Sequence, residues 1–127
     1  MSSRLSAASV FAVALLLTAC PPGVKVIVYN NTLDPITLVW LHDQTVVVPP
    51  HSSSTLSLPP VLTTFSTIRR GLKHDYAIHY PGKEFMYPSY RFGLQIQPSA
   101  KIYAAQGRMP ASAFPSQPSG YPLVPYP

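Results

Sequence analysis

The sequence predicts an all-β protein: a small antiparallel β-sandwich or barrel-like domain followed by a proline-rich disordered tail. Three observations predict it. Apolar side chains alternate with period two in short runs. The runs recur about every 8 to 12 residues, between clusters of Pro, Gly, Asn and Ser. No helical period appears from Val24 onward.

The first strand begins at Val24, where Val24, Val26 and Val28 alternate with Lys25, Ile27 and Tyr29. Asn30-Asn31-Thr32-Leu33-Asp34-Pro35 supplies a turn. Ile36 to Leu41 and Thr45 to Val48 then flank His42-Asp43-Gln44, a three-residue hairpin loop. Ile36, Leu38 and Trp40 oppose Val39 and Leu41, so both faces of that strand are expected to be covered. Pro49-Pro50 ends the hairpin, because paired prolines donate no ladder hydrogen bond, and Ser52-Ser53-Ser54 reads as a solvated connection.

Alternation resumes at Thr55 to Leu58 and stops at Pro59-Pro60. Leu62 to Ile68, rich in threonine, phenylalanine and isoleucine, favours a strand, and Arg69 to Asp75 reads as a polar, basic connection. Tyr76, Ile78 and Tyr80 alternate with Ala77 and His79, Pro81-Gly82 turns the chain, and Glu84 to Tyr87 forms a short partner strand. Phe92, Leu94 and Ile96 against Arg91, Gly93, Gln95 and Gln97 give the clearest half-buried strand. Ala100, Ile102 and Ala104 give the last. Prolines at 110, 115, 118, 122, 125 and 127 then favour an extended, partly polyproline-II tail over 109–127.

The residues before Val24 have a different character. A short polar start with Arg4 precedes an apolar stretch from Ala7 to Leu17, then the small residues Thr18 and Ala19 and the only cysteine, Cys20. Leu17-Thr18-Ala19-Cys20 resembles the lipobox of bacterial lipoproteins. The resemblance implies cleavage before Cys20, a diacylglycerol thioether on its sulfur, and usually a third acyl chain on the new amino terminus. It covers residues 1–20 only. By analogy with lipoprotein sorting, Pro21 after the cysteine favours the outer membrane, facing the periplasm. A membrane-spanning helix is the alternative, but it needs roughly 20 apolar residues, and Pro21-Pro22-Gly23 ends the run early. An ordinary signal peptide with a chance cysteine is another. The organisation that follows is 1–19 signal peptide, 20–23 lipidated tether, 24–108 folded domain and 109–127 tail.

Without the first 19 residues and the tail, the folding part is about 85 residues, a size that buries only about 60% of its extended surface. The sole cysteine is committed to lipid in this reading, so no disulfide reinforces the core. The mature charge of about +4 favours loose attraction to anionic envelope surfaces, and an exported protein of this kind is not expected to bind nucleic acid.

The candidate sites are sparse. His42, His51, His74 and His79 lack the spacing for a zinc cage, whose ligands must lie about 2 Å from one point. There is no Gly-x-Ser-x-Gly elbow, and paired carboxylates would have to come from four acids, three of them in turn-like contexts. No enzyme activity, metal or cofactor is therefore expected. Arg69, Arg70 and Lys73, with His74, form the densest basic cluster, which suits an anionic envelope component or a solvated loop. Tyr76, Tyr80 and Tyr87, with Tyr90, Phe85 and Phe92 nearby, suit a stacking platform for sugar or peptide, or the rim of a β core. The expected function is that of a non-enzymatic outer-membrane lipoprotein. It would be held by Cys20 and would serve a structural or accessory role with a protein partner in an envelope assembly. The alternatives are an envelope binding module for glycan or peptide and a phage lysis lipoprotein of the outer-spanin type.

Overall fold

Two four-stranded sheets face each other across an apolar core. The computed structural model describes residues 23–41, 43–59, 64–81, 91–106, 108–114 and 116–126. Its strands are β1 (Val24–Asn30), β2 (Ile36–Trp40), β3 (Gln44–Val48), β4 (Ser52–Leu58), β5 (Thr64–Arg69), β6 (Leu72–Ala77), β7 (Arg91–Ile96) and β8 (Ile102–Ala105). One sheet has the order β4-β1-β7-β8 and the other β3-β2-β5-β6. The fold is therefore an all-β sandwich. The period-two pattern explains it: Val24, Val26 and Val28 of β1 point inward beside Leu56 and Leu58 of β4, and meet Ile36, Leu38 and Val48 of the second sheet. Each such side chain contributes about 1.5–3 kcal/mol on burial.

The strand pairing departs from a wholly antiparallel arrangement at one place. β1 and β7 are parallel, with Val26 opposite Phe92 and Val28 opposite Leu94. All other neighbours are antiparallel.

Two stretches expected to be connections are strand. Ser52, Ser53 and Ser54 begin β4 and pair with Asn30, Tyr29 and Val28. Here the ladder to a strongly apolar β1 overrides the weak β propensity of serine. Leu72 to Asp75 belong to β6, because β5 and β6 are joined by Arg70 and Gly71 alone. Both have left-handed backbones, φ 53° and 74°, the combination that matches the twist of a two-residue hairpin. The strand expected to run on to Tyr80 consequently starts earlier and ends at Ala77. The short strand expected at Glu84 to Tyr87 lies outside the described residues.

The proline-rich segment, expected to be flexible, packs along the first sheet. Met109 lies close to Gly93, where an added Cβ would meet its sulfur at 3.1 Å and Ala105 O at 3.0 Å. Ala111 donates its N–H to Gln95 Oε1 (2.8 Å) and accepts from Gln95 Nε2 (3.1 Å). Phe114 stacks on Tyr103, with ring centroids 4.5 Å apart. The chain then returns along the β8 edge. The Gln117 amide pairs with Ala104 N and O at 2.9 Å each, and Leu123 exchanges both backbone bonds with Ile102 (2.7 and 3.0 Å).

Prolines are tolerated there because an edge needs few donors. Leu123 donates while Pro122 and Pro125 do not have to, and Tyr121 and Leu123 reach the core. This cover also changes β7. Gln95, expected on a wet face, is fully buried, so the strand is covered on both sides.

Candidate functional site

The register places the turns 31–35, 49–51, 70–71 and 97–101 at one end of the sandwich, opposite the end where β1 begins. We call this end the tip. Its first turn is locked by Asn30, which is fully buried. Asn30 Nδ2 donates to Asp34 O (2.7 Å) and Val48 O (3.0 Å), while its Oδ1 accepts from Thr32 N (3.0 Å) and Thr32 Oγ1 (2.7 Å). Asn31 reaches across to the other strands of its sheet, its N–H donating to Ile96 O (2.9 Å) and its Nδ2 to Gln97 Oε1 (2.6 Å). The Asn-rich turn read from sequence is thus a buried polar network.

That network presents Asp34 to two arginines. Arg69 Nε and Arg70 Nε approach the same oxygen, Asp34 Oδ2, at 2.9 and 3.0 Å. Arg69 Nη1 also donates to Pro98 O (3.3 Å), tying the β5–β6 hairpin to the β7–β8 turn. The hydrogen bond from Arg69, and then that from Arg70 with the charge of both guanidiniums, holds the Asp34 carboxyl below its ordinary value against the opposing effect of burial.

Between hairpin and turn lies a groove of about 510 Å³, lined by Arg69, Arg70, Leu72 and His74 on one side and Gln97 to Ala100 on the other, with Thr67 and Tyr76 deeper. No carboxylate among the described residues lines it. Leu72 in that lining is 60% exposed, and Leu33, 79% exposed, precedes Asp34 on the turn that holds the arginines.

The predicted site residues divide accordingly. Arg69 and Arg70 come together at the tip. Lys73 does not join them: it projects from the outer face of its sheet, is mostly exposed, and approaches Asp75 Oδ1 only to 3.9 Å. Tyr76 is fully buried, stacked with Phe65 (5.2 Å), and donates its hydroxyl to Ala100 O (2.7 Å). Tyr80 is half-buried, meets Phe92 edge-on, and donates to Pro59 O (2.6 Å). Burial raises the hydroxyl pKa of both, and more strongly that of Tyr121. A ring buried in the core cannot stack on a sugar, so Tyr76 forms no such platform, and Tyr80 is tied down by its hydroxyl and its edge-on contact. They anchor the core. Tyr87 and Cys20 lie outside the described residues.

Sequence reasoning missed Asp34, Leu33 and Leu72 as parts of the site. The signal for Asp34 was its place in the Asn-rich turn, but its pairing with residues 35 and 36 positions later is a property of the fold. Among the described residues, no three His, Cys, Asp or Glu side chains assemble as a metal cage, and no helix is long and apolar enough to cross a membrane.

No protein-family model, curated protein or solved structure matches the chain.

Proposed function

We propose that this protein is a lipoprotein held through an acylated Cys20 at the outer membrane, facing the periplasm, with a non-enzymatic accessory role in an envelope assembly. The lipobox resemblance supports the anchor. The observation that carries the role is the polarity of the domain. β1 starts at Val24, only four residues beyond Cys20, a reach of about 14 Å at most. The start of β1 then faces the bilayer, and a seven-residue strand lifts the tip roughly 23 Å higher. Arg69, Arg70, Leu33 and Leu72 are carried at the end that a partner in the periplasm meets first. Burial of Tyr76 weighs against a glycan-stacking module.

Metabolic labelling with a palmitate analogue, followed by membrane fractionation, tests the anchor. Label and membrane association are expected for the wild type and absent for Cys20→Ser. A mature chain with an unmodified thiol at that position overturns the proposal. Site-specific photocrosslinkers at Leu33 and Leu72, compared with one at Thr55 on the flank of β4, test the role. Partner adducts are expected from the tip alone.

A further inference from the structure

We infer that the tip groove docks an extended protein segment in which an acidic side chain is flanked by apolar ones. This rests on the same tip as the proposed function and names the chemistry of its partner.

The charge comes first. Two guanidiniums share one carboxylate oxygen, which leaves that cluster with one surplus positive charge, and no acid among the described residues lines the groove to cancel it. Arg70 keeps 72% of its side chain exposed even though its Nε is held by Asp34. Asp34 therefore positions the arginines without consuming them. A guanidinium fixed at one edge and open at the other is arranged to take a second carboxylate in a bidentate fashion, with little ordering left to do on binding.

Leu33 is the second observation. It sits between Thr32 and Asp34, on a turn pinned by the Asn30 network, yet it is the most exposed large apolar residue described. A mobile loop would shed that exposure by folding the side chain down; this turn cannot. Leu72 occupies the matching place two residues beyond Arg70 and is held by the β5–β6 ladder. A charged cluster whose chain neighbours are two exposed leucines, at a groove with Ile36, Ile96 and Ala100 in its lining, has the make-up of a protein-binding hot spot. A phosphate or a lipid head group would use the arginines but leave both leucines in water. The ligand must supply apolar surface as well as an anion.

The test uses the full-length protein purified in detergent and a panel of synthetic, end-blocked decapeptides. In these peptides one glutamate is placed between two leucines at varied spacing. Matched peptides carry glutamine for the glutamate. The acidic peptides should bind about tenfold more tightly at low salt, the equivalent of one charge-assisted pair. Raising the ionic strength about tenfold should remove most of that advantage. Backbone chemical-shift changes should cluster at Leu33, Arg70, Leu72 and the 97–101 turn.

Arg70→Asn should erase the preference for glutamate without lowering the melting temperature, because asparagine tolerates the left-handed backbone at that position. Leu33→Ser should weaken acidic and neutral peptides alike. The inference is overturned by equal affinity for the two peptide sets, by shift changes elsewhere, or by no binding at millimolar peptide. Tighter binding of inorganic phosphate or of a cell-wall stem peptide, insensitive to Leu33→Ser, also overturns it. None of these readouts depends on acylation, so failure of the lipid anchor and failure of this site give different results.

Discussion

Leu123 is 3% exposed, packs in the core and exchanges two backbone hydrogen bonds with Ile102 on the β8 edge. Leu123→Ala should cost about 2–3 kcal/mol, toward the lower end of the range for buried leucines, because a terminal segment can partly follow the cavity inward. Against the 5–15 kcal/mol typical of a domain, that is a large fraction. At this chain size it lowers the melting temperature by about 10–20 °C. Urea titration followed by fluorescence of the single tryptophan, Trp40, which packs against the core, measures it. Exchange of the Ile102 amide, which donates to Leu123 O at 3.0 Å, should accelerate in parallel. Val124→Ala is the control: its side chain is 57% exposed, and the change should stay within about 0.5 kcal/mol. If Leu123→Ala unfolds at the wild-type urea concentration and Ile102 exchanges no faster, the segment does not close the edge and the reasoning fails.

Three further outcomes are expected. Asn30→Ala orphans the buried Thr32 N–H and Val48 carbonyl and should cost about 3 kcal/mol by urea titration. Asn30→Asp sets a carboxylate against two carbonyl oxygens, which raises its folded-state pKa; its deficit relative to wild type should be full at neutral pH and shrink as the pH falls toward about 4. Asp34 behaves oppositely. Its pKa is lowered in the fold, so its stabilisation of the tip is present above the unfolded value near 3.9 and lost as the pH falls through the lower folded value. NMR shifts of the Arg69 and Arg70 Nε–H groups should follow that loss, and Asp34→Asn should abolish the transition. Finally, Gly71→Ala should destabilise by about 1 kcal/mol through its φ of +74°, whereas Arg70→Asn should be neutral or slightly stabilising; equal melting temperatures for these two variants would contradict the hairpin geometry.

The strands were legible because burial on one face leaves a period of two in the sequence, as in Val24, Val26 and Val28. Their ends were less so. Arg70-Gly71 is not a familiar hairpin dipeptide, and its four basic and polar neighbours looked like a loop, although Leu72, His74 and Tyr76 share one face of the strand, with Tyr76 alone buried. The tail was illegible for another reason. Prolines announce an extended chain but not what it lies against. The contacts that fix it are made by Gln95 and Gln117, whose side-chain amides stand in for peptide groups in a ladder. A glutamine in a sequence carries no sign of such use. The arginine cluster was visible as composition, but its division into a paired Arg69 and Arg70 and a separate Lys73 follows from alternate residues on β6 facing opposite ways.

The parallel pairing of β1 with β7 connects these features. Because β7 runs parallel to β1, it starts at the same end, where β4 and β6 finish and β5 begins, and it finishes at the tip beside Asn30. The tip carries compact turns: the Asn30-locked turn, the two-residue hairpin at Arg70-Gly71, and the 97–101 turn closed by Gln97 N–H donating to Lys101 O (3.0 Å) and Ala100 N–H to Gln97 O (2.9 Å). Side chains on such turns are already ordered before any partner arrives, so the entropy lost on association is small. Leu33 and Arg70 can therefore stay exposed and still occupy fixed positions. The parallel β1–β7 pair, by bringing Asn30 and Ile96 side by side, lets Asn31 bond Ile96 O and Gln97, and that cross-link gives the tip the rigidity that the recognition proposed for it requires.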